Sequence, residues 1–314
     1  MEMIHLSYPL ELKSPVQPIT LAIGYFDGVH LGHRAVIEKA TQMAEELGVA
    51  PGVMTFHPHP REVLGKSPVT RYLTPLSDKL QCFEELGVQK AYVMHFDHQF
   101  ASLSKHQFVE EVLVPLQVQG ITVGFNFTFG RGAEGNGEDL VLLGKGRFQV
   151  EVVRPVSGNG LSISSTRLRK MLHSGQVEEA GNILGRPYSL RGTVVSGDRR
   201  GRTIGYPTAN LELQDPFIIP GTGVYIVRVQ VNDQIHYGMM NIGFRPTFHD
   251  SEPQKTLEVH LFDVDKDLYG SLLKVEFLHF LRKEVAFPSV EALIHQLQAD
   301  ERNARSWLKR QSDA

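Results

Sequence analysis

Two histidines three residues apart, His30 and His33, stand in the string GYFDGVHLGH at residues 24–33. Apolar residues then recur at helical spacing, at Val36, Ala40, Met43, Ala44 and Leu47, so the pair marks a helix start. A helix N-terminus has unpaired N–H groups and the positive end of the macrodipole, and both attract phosphate. Gly24, Gly28 and Gly32 let backbone approach a ligand closely. Two imidazoles there can donate hydrogen bonds to a phosphate bridging two nucleoside parts. Read alone, the same residues also describe a tight turn with two surface histidines. A metal site would need a third ligand, which nothing nearby suggests.

Two further strings are suited to anions. ISSTRLR (residues 163–169) gathers Ser164, Ser165, Thr166 and Arg169 at the start of another helical pattern, and residues 154–170 hold four basic side chains and no acid. Hydroxyl donors with bidentate arginine suit a polyphosphate, although an ordinary Ser/Thr cap beside solvated arginines has the same composition. GDRRGRTIGYPTANL (residues 197–211) lacks the GK[ST] of a Walker A loop. From residue 186 to 211 five arginines face one acid, Asp198, which alone fits a basic surface loop or a nucleic-acid patch. Thr208 and Asn210 could place a hydroxyl and an amide oxygen together at a strand start, hard ligands of the kind Mg²⁺ takes jointly with phosphates. Glu258, in TLEVHLFD, shares a strand face with Thr256 and His260, opposite Leu257, Val259 and Leu261.

The elements that must position these groups follow from hydrophobic period. Strand patterns at 21–23, 49–56, 88–96, 121–127 and 148–153 alternate with helix patterns at 31–47, from Thr74-Pro75 to Gly87, and from a Ser104/Gln107 capping box to Leu116. The middle helix is expected to bury Leu76, Leu80, Phe83 and Leu86. Such alternation implies βαβ units and a parallel, Rossmann-like sheet, whose ligands bind at the carboxyl ends of strands. One helical stretch at 165–184 leads to a boundary at Gly185-Arg186-Pro187, giving expected domains at 1–186 and 187–314. Beyond it the period becomes 2, at 224–231, 235–242, 256–262 and 272–281, which suggests an antiparallel barrel or sandwich. A terminal helix follows, capped by Ser289, with Val290, Leu293, Ile294, Leu297, Trp307 and Leu308 apolar.

Composition narrows the class. The 314 residues carry 32 Lys+Arg against 35 Asp+Glu, a net charge of −3, which argues against a polymer-wide basic face and a nucleic-acid partner. Hydrophobic residues at 41% and charged residues at 21% are ordinary for a globular chain with two cores. No apolar run approaches membrane-spanning length and no signal peptide is visible, so no membrane partner is expected. The single cysteine, Cys82, permits no internal disulfide and fits a cytoplasmic location.

Taken together, HxGH at 30–33 and ISSTxxR at the far end of the same domain resemble the nucleotidylyltransferase superfamily. The fuller strings GYFDGVHLGH, FHPHPREVL, GFNFTFG, ISSTRLR and GDRRGRTIGYPTANL are similar to the bacterial bifunctional riboflavin kinase/FMN adenylyltransferases, across essentially the whole chain. The resemblance implies an α/β Rossmann-like adenylyltransferase domain, then an antiparallel β-barrel riboflavin kinase domain with a C-terminal helix. It implies ATP as co-substrate, Mg²⁺ as cofactor, and riboflavin, FMN and FAD as the other partners; self-association is compatible with it.

Residue by residue, the resemblance implies His30, His33 and Arg169 as catalytic groups of the first site. Gly24, Phe26, Asp27, Gly28, Gly32, Ser164, Ser165 and Thr166 would lie around its ATP, with Asn126, Phe127 and Phe129 around its flavin. In the second site it implies Glu258 as general base and Thr208 and Asn210 on the metal. Gly197, Arg202, Gly205, Pro207 and Asn241 would contact ATP, and Arg282 and Glu284 in LRKEVAF the flavin. Many relatives carry Asp where this chain has Asn126 and Asn136. Losing those charges would ease approach of an anionic substrate or weaken a metal contact.

The two inventories differ as the two reactions require. Phosphorylating a primary alcohol needs a base to take its proton. Adenylylating FMN starts from a phosphate monoester, ionised near pH 7, and needs only donors and positive groups. The rivals are a nucleic-acid-binding or regulatory protein that uses the arginine-rich string and senses flavin rather than making it, and a monofunctional adenylyltransferase with a degenerate second domain. The intact PTAN string and Glu258 speak against the latter.

Overall fold

The computed structural model describes residues 1–12, 15–65, 71–158, 161–197, 200–232, 234–244, 255–264 and 266–312. Its packing divides the chain into two compact units, Met1–Ser165 and Thr166–Ala314.

The first unit is built on six parallel strands: β1 (Glu2–Leu6), β2 (Ile19–Ile23), β3 (Ala50–His57), β4 (Lys90–His95), β5 (Val118–Gly124) and β6 (Gln149–Val153), in the order β1-β4-β3-β2-β5-β6. The edge strand β1 lies at the N-terminus, ahead of the first expected strand. The chain runs outward from β2 through β3 to β4 and then returns to the other side of β2 with β5. Connections therefore diverge at the carboxyl ends of β2 and β5, the topological switch point where open α/β sheets bind ligands.

Helix α1 (Leu31–Leu47) buries Val36, Ile37, Ala40, Met43 and Ala44, and Gly48 ends it in the left-handed conformation with its N–H on the carbonyl of Ala44. Helix α2 (Leu76–Glu85) buries Lys79, Cys82 and Phe83, a face rotated from the expected apolar stripe because it takes in a lysine. The Ser104/Gln107 capping box forms as expected, but residues 108–113 continue as π-helix. Helix α3 (Gly137–Gly144) precedes β6.

The expected single helix at 165–184 is two, α4 (Ser165–His173) and α5 (Val177–Leu184). Gly175 separates them at φ +78°, close against Tyr225 and Phe280, where a Cβ would meet the Tyr225 hydroxyl at 3.1 Å. Both helices pack with the second unit, so the division falls after Ser165, ahead of the Gly185-Arg186-Pro187 turn that the sequence offered as boundary.

In the second unit, β7 (Tyr188–Val195), β8 (Ala209–Leu213), β9 (Gly223–Val231), β10 (Gln234–Phe244), β11 (Lys255–Leu261) and β12 (Leu272–Arg282) close a barrel in the order β7-β8-β11-β10-β9-β12. Every pairing is antiparallel. Burial alternates strictly along β7 and from Thr256 onward in β11, the period-2 signature of a packed interior. The terminal helix α6 (Val290–Ser312) packs through Ala304, Trp307 and Leu308 on a cluster with Val224, Ile226, Met239 and Phe262.

Candidate active sites

In the first unit, the loop between β2 and α1 is backbone under strain held by many partners. Phe26 at φ +56° and Val29 at φ +41° lie in the left-handed region, unfavourable for an aromatic and more so for a β-branched residue. Both side chains are buried in the core. The Phe26 ring lies over Gly24, where a Cβ would sit 2.9 Å from it, so Gly24 is required by packing. The Asp27 carboxylate accepts the N–H groups of Leu73 and Thr74 at 3.0 and 3.1 Å, and the Asp27 carbonyl accepts the Ser165 hydroxyl at 2.8 Å. Asp27, Phe26 and Ser165 thus shape the loop through their side chains.

His30 is buried and caps α1: its Nδ1 accepts the His33 N–H at 3.2 Å, which leaves the proton on Nε2. The two imidazoles stack at 3.6 Å and 18°, and Phe26 meets His33 edge-on at 5.3 Å. Burial, then the neighbouring His30 and Lys79, hold the His33 imidazole well below its usual pKa, so it is neutral at pH 7. His33 Nδ1 is buried without a hydrogen-bond partner among the described residues. An orphaned polar atom of this kind beside a helix N-terminus is where a polar ligand group would compensate.

Lys79 completes this arrangement and carried no sequence signal, since a lone lysine at a helical position ordinarily points to solvent. It is 2% exposed, donates to the Tyr25 carbonyl at 2.8 Å and lies 4.0 Å above the Tyr25 ring. Burial brings its pKa down to about 8, with Asp27 acting against that shift. Thr55 donates to the same carbonyl at 3.0 Å, so Tyr25 is fixed twice.

The turn after β5 exposes Asn126 and half-buries Phe127. Phe129, expected at the flavin, is 7% exposed and packs on Phe108 and Phe127 in the core. The accessible aromatic of this turn is Phe125, at 53% exposure. Asn136, one of the two Asn-for-Asp positions, caps α3 by accepting the N–H groups of Glu138 and Asp139 at 2.8 and 3.0 Å; asparagine caps as well as aspartate. Ser164 and Ser165 close this unit, whereas Thr166 and Arg169 lie in α4 and pack with the second.

The second unit holds a cavity of about 300 Å³. Thr208, Asn241, Glu258, Arg282 and Glu284 all line it, so residues separated by up to 76 positions meet in one place. In register, Glu258 on β11 is paired with Asn210 on β8 and with Asn241 on β10. One carboxylate is thereby flanked by two amides. Asn210 also lies against Gly197, where a Cβ would come within 2.0 Å of its amide nitrogen. The Thr208 hydroxyl faces Gly201, and the Pro207 carbonyl accepts His260 Nδ1–H at 2.8 Å. Glu284 lies against Gly243. Gly205 turns the preceding loop at φ +82°; the Arg202 side chain lies outside the described residues.

Phe287 ends the LRKEVAF string expected at the flavin, but sequence reasoning missed most of the apolar walls: Val224 and Met239 from the barrel, and Leu293 and Leu297 from α6. Those residues looked like ordinary core positions, and only the closed barrel places them beside polar groups. An apolar slot with a few convergent polar groups suits a planar aromatic ligand. No group of three His, Cys, Asp or Glu side chains is arranged for a metal among the described residues. At the Thr208 end the donors are the Glu258 carboxylate with the neutral oxygens of Thr208 and Asn210, which suits an Mg²⁺ ion whose remaining ligands are phosphates and water.

Family models agree with this division. Residues 13–167 match FAD synthetase and residues 184–308 match riboflavin kinase. A bifunctional riboflavin kinase/FMN adenylyltransferase of Bacillus subtilis (strain 168) is 42% identical over 97% of both chains. That of Escherichia coli (strain K12) is 37% identical, over 94% of this chain and 95% of its own. A crystal structure described as a macrolide-efflux protein from Streptococcus pneumoniae superposes with a TM-score of 0.91 at 35% identity, covering 98% of this chain and 100% of that one. Among the described residues no helix is long and apolar enough to cross a membrane. With a strained histidine loop at a sheet switch point, a carboxylate cavity in a six-stranded barrel and full-length relatives of one kind, the chain belongs to the bifunctional riboflavin kinase/FMN adenylyltransferase family.

Proposed function

We propose that the barrel cavity phosphorylates riboflavin with Glu258 as general base, and that the histidine loop of the first unit serves the adenylylation of the resulting FMN. The enzyme uses ATP in both steps. The observation that carries the kinase reading is the placement of Glu258 between Asn210 and Asn241, in the same cavity as Thr208 and Arg282.

In the first reaction Glu258 accepts the proton of the riboflavin primary hydroxyl, the oxygen attacks the γ-phosphorus of ATP, and ADP leaves. Thr208 and Asn210 would hold Mg²⁺. When bound, that ion neutralises charge on the β- and γ-phosphates. Asn241 aligns the carboxylate from the opposite strand. Arg282 and Glu284, with Val224, Met239 and Phe287, form the wall for the flavin.

In the second reaction the FMN phosphate attacks the α-phosphorus of ATP and pyrophosphate departs. The nucleophile is already ionised, so donors suffice. His30 offers its Nε2–H, fixed by the bond at Nδ1, and the N-terminus of α1 offers backbone N–H groups. His33 acts as a neutral partner stacked on His30. Gly28 and Gly32 leave room for phosphate, and Asn126 with Phe127 contacts the flavin part.

Incubating the enzyme with riboflavin, ATP and Mg²⁺ and separating the flavins tests both halves. Glu258→Gln is expected to lower FMN formation by about 10²–10⁴-fold while FAD is still made from supplied FMN. FMN production near the wild-type rate would exclude Glu258 as the base.

A further inference from the structure

Asp300 and Glu301 are neighbours on α6, and each is bonded to a different wall of the barrel cavity. Asp300 is 2% exposed and receives Arg282 as a fork, with Nε at 3.0 and 2.9 Å from its two oxygens and Nη2 at 2.7 Å. Gln296 adds a bond to the same carboxylate at 2.8 Å. Arg282 opens the segment carrying Glu284, Val285 and Phe287, the flavin wall of the proposed kinase site.

Glu301 accepts the Tyr206 hydroxyl at 3.0 Å and Arg305 Nε at 2.9 Å. Tyr206 directly precedes Pro207 and Thr208, the nucleotide wall, and its ring lies 5.0 Å from that of His260, which holds the Pro207 carbonyl. Burial and the Glu301 carboxylate push the Tyr206 phenol above its usual pKa, as a committed donor requires. Consecutive helical residues point about 100° apart, so one turn of helix reaches both walls. Between them Leu293 and Leu297 face the cavity directly.

We propose that Asp300 and Glu301 are positioning residues through which α6 sets the flavin wall and the nucleotide wall together, so that filling one half of the cavity prepares the other. This rests on the kinase reading above. An arginine side chain loses rotamer freedom when fixed, and a bidentate carboxylate is the partner that fixes it before substrate arrives. Neither carboxylate lines the cavity, so their effect on substrate passes through Arg282 and Tyr206. A rigid helix bearing both ties lets displacement at one wall reach the other.

The test uses the full chain with Asp300→Asn, Glu301→Gln, Tyr206→Phe and the Glu301→Gln/Tyr206→Phe pair. Riboflavin binding is read by quenching of flavin fluorescence, with and without a non-hydrolysable ATP analogue and Mg²⁺; both KM values follow from FMN formation. Asp300→Asn is expected to raise the riboflavin Kd measured without nucleotide about tenfold. Glu301→Gln and Tyr206→Phe should each raise the ATP KM several-fold, and the pair should equal either single variant. The analogue should tighten riboflavin binding in wild type and lose that effect in both carboxylate variants.

An unchanged riboflavin Kd in Asp300→Asn, an analogue effect that persists in both carboxylate variants, or a lowered melting temperature with both KM values intact would reduce α6 to a structural clasp and overturn the proposal. Glu301 is half-buried, so its variants remain decisive if Asp300→Asn does not fold. Wild type that forms no FMN would instead overturn the kinase reading itself, and this proposal with it.

Discussion

At His30 one ring atom does two jobs: Nδ1 caps α1, and in doing so it fixes the proton on Nε2. The two roles separate by substitution. His30→Asn keeps a capping oxygen but has no imidazole donor, so FAD formation should collapse while FMN accumulates and stability changes by only a few tenths of a kcal/mol. His30→Ala should lose activity and also about 1 kcal/mol of stability. Gly197 offers a similar separation in the barrel. A Cβ there would come against the amide of the Asn210 side chain rather than backbone. Gly197→Ala should therefore fold normally and require several-fold more Mg²⁺ for half-maximal FMN formation; an unchanged requirement would remove Asn210 from the metal site.

Helix α2 shows how an element supports a site it does not enter. Its buried Lys79 braces the carbonyl of Tyr25, the residue before the first strained position of the loop. The lysine keeps its proton up to near pH 10.5 in the unfolded chain but only to about 8 in the fold. Between those values the unfolded state binds more protons, so stability rises with pH across the window, by up to about 3 kcal/mol. Thermal unfolding followed from pH 7 to 10.5 should show this rise, and Lys79→Met should abolish it. That variant should melt no lower at pH 7, because Thr55 still satisfies the Tyr25 carbonyl. It should nevertheless make FAD at least about tenfold more slowly, since the loop loses its second brace. The His33 shift has the opposite end of the pH scale: its folded pKa is depressed, so stability falls as pH drops through about 6.5, where the unfolded imidazole protonates.

At the scale of the whole molecule, the two chemistries lie on separate compact units, Met1–Ser165 and Thr166–Ala314. FMN is the product of one and the substrate of the other, and it is a diffusible small molecule. Mixing His30→Asn enzyme with Glu258→Gln enzyme should therefore restore conversion of riboflavin to FAD, after a lag in which free FMN builds up. Chromatographic time courses would show it; a mixture that stops at FMN would tie the two steps to one chain.

Period and punctuation made the architecture legible. Alternating strand and helix patterns ahead of residue 165 and period-2 strands beyond it give the parallel sheet and the barrel, because burial on one face imposes the spacing of each element. The chemical strings were legible for a related reason: glycines, histidines and hydroxyls at a helix start are rarely needed together for packing alone. The rest depended on the fold. Asn136 became a cap and Phe129 a core residue, Lys79 turned inward, and Gly175 split a helix, each decided by what surrounds the position. The sequence by itself determined the two kinds of unit and the residue types able to hold phosphate or take a proton. Only tertiary structure decided that Glu258 would stand between Asn210 and Asn241, since cross-strand register is set by closure of the barrel and not by any local run of residues.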